Sequence, residues 1–127
     1  MFRLAKIIGS SNTSEEVVNF NIKMNTGINS GSVVSCVNNV LLNTSADAFP
    51  DYVFMSVSNE IKKCYAITEN MIFKVEFTSD ITPKLGMQVG LSNLFGKADS
   101  VAYNTNGKGI IVGIESPTMV YVKFKKN

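Results

Sequence analysis

Apolar and polar residues change places at every second position through much of this chain, in short runs separated by turn formers. Phe73, Val75 and Phe77 take one side of such a run while Lys74, Glu76 and Thr78 take the other. That is the period-two signature of a half-buried strand. A turn at residues 79–84, containing Pro83, leads to a second short strand over 85–91, where apolar residues alternate with glycine or Gln88. Near the start, residues 2–8 read as a strand, with Phe2, Leu4, Ile7 and Ile8 apolar around Arg3 and Lys6. Residues 9–14 are a loop by composition. Ser14-Glu15-Glu16-Val17 has the look of a helix start, but Val18, Phe20, Ile22 and Met24 alternate, which predicts one strand through that stretch.

The same grammar continues. Residues 32–37 are a β-branched run, and Asn38-Asn39 reads as a tight hairpin turn because asparagine tolerates the positive φ such turns need. Residues 40–42 return alongside. The run 52–58 begins apolar on both faces, the mark of a central strand covered on two sides. Residues 59–63 read as a polar connection to a strand at 64–67. After a loop over 92–99 comes a short strand at 100–103. Asn104 to Gly109, with its Asn106-Gly107 step, is the strongest hairpin signal in the chain. Residues 110–115 and 119–124 are the last two strands, joined at Ser116-Pro117-Thr118, with Val120, Val122 and Phe124 on one face. Many short strands at about ten-residue spacing predict an all-β fold, a small antiparallel sandwich or barrel.

Composition narrows this picture. The 127 residues are 45% hydrophobic, enough for one core and one domain over 1–127. No run of about 18 apolar residues is present to span a membrane, and the first residues lack the apolar centre of a signal peptide. The net charge of +2 is too small to signal nucleic-acid binding. Lysines are scattered except at Lys62-Lys63 and Lys123, Lys125 and Lys126, which read as solvated surface and a solubilising tail.

Reactive chemistry is sparse. The chain has no histidine, the commonest metal ligand and general base. Two cysteines, Cys36 and Cys64, lack a base to form a thiolate and read as buried, reduced core residues. Asp47 and Asp51, like Glu15-Glu16, are turn and surface carboxylates without a nucleophile to serve. Phe73, Tyr121 and Phe124 alternate with lysines, a pattern that stacks bases on oligonucleotide-binding barrels. The alternation places Phe73, Phe77 and Phe124 on apolar faces, which argues for core instead. No catalytic set, cofactor or metal is expected. Loops and edges are left as contact candidates: Phe2 and Leu4 on the first strand, Leu94 and Phe95 in the loop after residue 91, and Asn106 and Gly107 in the last glycine-rich turn.

One further signal lies in the order of elements. It runs from Met1-Phe2-Arg3-Leu4-Ala5-Lys6-Ile7-Ile8 through Tyr52-Val53-Phe54-Met55-Ser56-Val57 to Cys64-Tyr65-Ala66-Ile67-Thr68-Glu69-Asn70-Met71-Ile72-Phe73-Lys74-Val75. Leu85-Gly86-Met87-Gln88-Val89-Gly90-Leu91, Gly109-Ile110-Ile111-Val112-Gly113-Ile114 and Val120-Tyr121-Val122-Lys123-Phe124 follow. In this order the chain resembles the capsid decoration, or head-stabilising, proteins of tailed phages of Gram-positive bacteria. Residues 91–98 and the Lys-Lys-Asn tail depart from the pattern. The resemblance implies a non-enzymatic virion protein made in the host cytoplasm and bound to the outside of the expanded capsid. Its partners are then the major capsid protein and copies of itself, as in trimers, with neither nucleic acid nor membrane. Two other readings stand beside it: another phage structural subunit of tail or baseplate, and a small barrel that binds single-stranded nucleic acid or sugar.

Overall fold

The computed structural model describes residues 1–9, 16–92 and 98–127. Among these residues the chain is all-β, in two six-stranded sheets. Numbered in chain order, the first sheet runs β1 (Arg3–Ile7), β8 (Met71–Glu76), β12 (Met119–Phe124), β11 (Gly109–Ser116), β9 (Gln88–Leu91), β10 (Val101–Tyr103). The second runs β2 (Val17–Phe20), β7 (Ile61–Ala66), β6 (Tyr52–Ser58), β4 (Val33–Val37), β5 (Val40–Asn43), β3 (Lys23–Met24). Neighbours are antiparallel except β3 beside β5. Of the two all-β architectures expected, the sandwich is the one that fits.

Alternation decides what each sheet buries. Phe73 and Val75 of β8 and Val120, Val122 and Phe124 of β12 turn inward and are fully buried, facing Val33, Val53 and Tyr65 of the second sheet. The neighbours of those three residues, Val34, Phe54 and Cys64, point the other way into a second apolar cluster with Leu41, Phe20 and Met24. The second sheet is therefore buried on both faces over β4, β6 and β7, as the doubly apolar run 52–58 predicts.

The stretch 18–24 is not one strand. It breaks at Asn21 and Ile22 into β2 and β3, which lie at opposite edges of the second sheet. Six flat strands would hold those edges roughly 24 Å apart at ~4.8 Å per strand. The three steps from Phe20 to Lys23 span at most about 11 Å. The sheet must therefore curl until its edges nearly meet, and that curl encloses the second cluster.

Three other boundaries differ from the sequence reading. Asn38 and Asn39 adopt φ of 51° and 60°, the tight turn expected between β4 and β5. Asn59 and Glu60 make an equivalent turn (φ 50° and 67°), so β7 begins at Ile61 rather than after a five-residue connection. The strand expected over 85–91 starts only at Gln88, and Leu85 before it is 69% exposed. Asn106-Gly107 forms no hairpin, since β9 lies between β10 and β11. The connection arches over β9 instead. A Cβ on Gly107 would sit 2.1 Å from the Val89 carbonyl oxygen, so close approach of two backbones, and not positive φ, requires glycine there.

Candidate interaction surface

Among the described residues β1 pairs with β8 on one side only, so its other edge presents backbone N–H and C=O groups with no partner strand there. The chain ahead of it is tied to the second sheet, where the Phe2 N–H donates to the Gly31 carbonyl at 2.8 Å. Beside this edge, in the mouth between the sheets, lies a groove of about 370 Å³. Leu4, Val53, Met55 and Tyr65 contribute apolar surface to it, and Arg3 a charge. Ser30 fixes one wall by donating its hydroxyl to the Met55 carbonyl at 2.8 Å.

The expected contact residues fall unevenly on this frame. Leu4 is half-buried, packs against the main core and lines the groove. Phe2 is not an exposed contact. Only 2% of it is accessible, and its ring lies 5.9 Å from Phe73 and 5.8 Å from Phe124. The reason is register: Leu4 opposes the inward Phe73, and Phe2, two residues earlier, points inward with it. Gly107 is likewise buried, clamped over β9 with its carbonyl accepting from Gln88 Nε2 at 2.7 Å. Asn106 is exposed beside it. Leu94 and Phe95 lie outside the described residues.

The remaining chemical candidates take structural roles. Asp47 accepts from Asn104 Nδ2 at 2.7 Å and joins two loops, while Asp51 accepts from the Cys36 N–H at 3.2 Å and fastens a loop to β4. Cys36, expected to be buried, is exposed at the open end of β4, while Cys64 is inaccessible in the second cluster. Burial, and next the charge of Cys36, push the Cys64 thiol up from 9.0 to about 11, the reverse of an activated nucleophile. Phe73 is fully buried and has no face to offer a base, whereas Tyr121 points outward from β12. No group of three or more His, Cys, Asp or Glu among the described residues is placed to hold a metal ion. No helix there is long and apolar enough to cross a membrane.

Comparison with protein-family models, with curated proteins and with solved structures finds no match to this chain.

Proposed function

We propose that this chain is a non-enzymatic phage virion protein that binds the outer surface of the capsid shell and stabilises it. The observation that carries the reading is the β1 edge, which has no second strand partner among the described residues, beside a groove lined largely by apolar residues. An edge of this kind accepts a strand from a partner: main-chain hydrogen bonds supply affinity, and pockets for alternate side chains supply selection. A shell supplies many identical partner segments, so modest contacts repeated over it sum to a large stabilisation. The order-of-elements resemblance to head-stabilising proteins supports the same assignment. In this reading the partners are the major capsid protein and further copies of the chain.

The test is reconstitution. Expanded shells lacking the protein are mixed with the purified chain and sedimented. Saturable co-sedimentation, with raised shell resistance to heat, is expected. Shells that sediment bare at micromolar protein would remove the proposal. A Leu4→Lys variant, which places a charge at the groove, is expected to weaken binding while keeping the strand pattern in circular dichroism.

A further inference from the structure

Lysine and arginine look scattered along the chain, but the register of the first sheet gathers half of them on one face. Arg3 of β1 opposes Lys74 of β8, which opposes Tyr121 of β12. One step along, Lys6, Ile72, Lys123 and Ile110 form the next row. Lys125 and Lys108 close the corner, joined through the Lys125 N–H and the Lys108 carbonyl at 2.8 Å. All these positions alternate with the buried Phe73, Val122, Phe124 and Ile111, so they share the outward side. Six of the twelve basic residues thus lie together: Arg3, Lys6, Lys74, Lys108, Lys123 and Lys125.

Little on the face neutralises them. Lys74 pairs with Glu115 at 2.9 Å, and Glu76 holds the Met1 amino group. Among the described residues the other five basic side chains have no carboxylate within ion-pair distance. Arg3 and Lys74 stand directly opposite across two strands, an arrangement that costs stability in the free protein. A covering surface of opposite charge offsets that repulsion.

The centre of the face is apolar and low. Ile72, Ile110 and Tyr121 are half-buried. The Tyr121 ring lies over Gly113, where an added Cβ would come within 3.1 Å of it, so the missing side chain lets the ring lie against the sheet. At the corner, Gln88, Gly107, Lys108, Ile110, Lys125 and Asn127 line a dimple of about 70 Å³, the size of a few waters and room for one carboxylate. An apolar, aromatic centre inside a rim of cations is the layout of a protein interface. A strand of nucleic acid asks instead for successive stacking aromatics along a basic channel, and Tyr121 is the single aromatic on the outward side of these four strands.

We infer that the outward face of β1, β8, β12 and β11 docks on an acidic protein surface, with a carboxylate seated between Lys108 and Lys125. The face carries this by itself. Identifying the acidic surface with a capsid shell rests on the function proposed above.

The experiment compares two charge reversals of equal net change: Lys123→Glu with Lys125→Glu on the face, and Lys62→Glu with Lys63→Glu on β7 of the other sheet. Binding to immobilised poly-L-glutamate is measured against salt, with a single-stranded oligonucleotide as the alternative probe. The face variant is expected to bind poly-L-glutamate about tenfold or more weakly than wild type, with the control within about twofold. Equal losses in both variants overturn the inference, and so does tighter binding to the oligonucleotide at matched salt. Bare shells serve as a third probe. Wild type that binds poly-L-glutamate through the face but leaves shells bare sinks the capsid reading and keeps the acidic-surface docking. Shell binding that ignores the face variant keeps the capsid reading and removes this face from it.

Discussion

Replacing Phe2 by alanine distinguishes a core residue from a contact residue. The ring is 2% exposed and meets two aromatic partners, Phe73 and Phe124, with centroids under 6 Å away. Truncating a buried phenylalanine to alanine costs about 3–5 kcal/mol, including the cavity and the lost ring contacts. The lower end applies here, because β1 is an edge strand whose one strand partner among the described residues is β8, and it can relax inward or fray. We therefore expect about 3 kcal/mol. Read by urea unfolding with an m-value near 2 kcal/mol/M, that moves the midpoint down by roughly 1.5 M. Leu4→Ala, at a half-buried groove position, is expected to lose about half as much or less. A Phe2→Ala midpoint within roughly 0.3 M of wild type at unchanged m would refute the core assignment. It would return Phe2 to the surface.

Three further outcomes follow from the packing. Gly107→Ala drives a methyl into the Val89 backbone, 2.1 Å from its carbonyl oxygen, and is expected to destabilise by about 2 kcal/mol or more, whereas Asn106→Ala changes stability by under about 0.5 kcal/mol; equal effects in thermal melts would contradict the arch over β9. One thiol, Cys36, should react with Ellman's reagent at once in the folded protein and Cys64 only on unfolding, so two fast equivalents would show the second cluster to be open. Because the folded Cys64 pKa is raised from 9.0 to about 11, its stabilising contribution is complete below pH 9 and is lost as pH rises to 11, by at most about 3 kcal/mol. Cys64→Val should lack that share of the loss, and parallel stability curves for the two proteins across pH 9–11 would exclude it.

Local chemistry was legible in the chain, and non-local order was not. Asn38-Asn39 announced its turn because asparagine accepts positive φ, while Asn59-Glu60 makes an equivalent turn with a glutamate that gives no such signal. Asn106-Gly107 spells a hairpin to any local reading, yet the insertion of β9 between its flanking strands is set by pairings far along the sequence. Alternation through Val18, Phe20, Ile22 and Met24 is real, but it does not record that the segment leaves one edge of a sheet and arrives at the other. The basic face follows the same rule. Lys6, Lys74 and Lys123 are dozens of residues apart, and only the register of β1, β8 and β12 makes them neighbours. The direction of a side chain on an edge strand was least legible, since whether Phe2 turns inward or outward depends on register with β8.

Two features of β1 bear on which partner it can accept. Its ladder with β8 shifts register between Leu4 and Lys6, a bulge that twists the edge away from flat pairing. Arg3 and Lys6 are both exposed on it. Bulges and basic side chains are the devices that keep open edges from pairing indiscriminately. Two copies meeting edge to edge would bring their Arg3 and Lys6 side chains together and repel. In the proposed reading the strand added to β1 therefore comes from a different, acidic chain, and copies of this protein associate through another surface. Such a strand would set acidic side chains beside Arg3 and Lys6 at the rim of the basic face, so edge pairing and face docking would select the same partner.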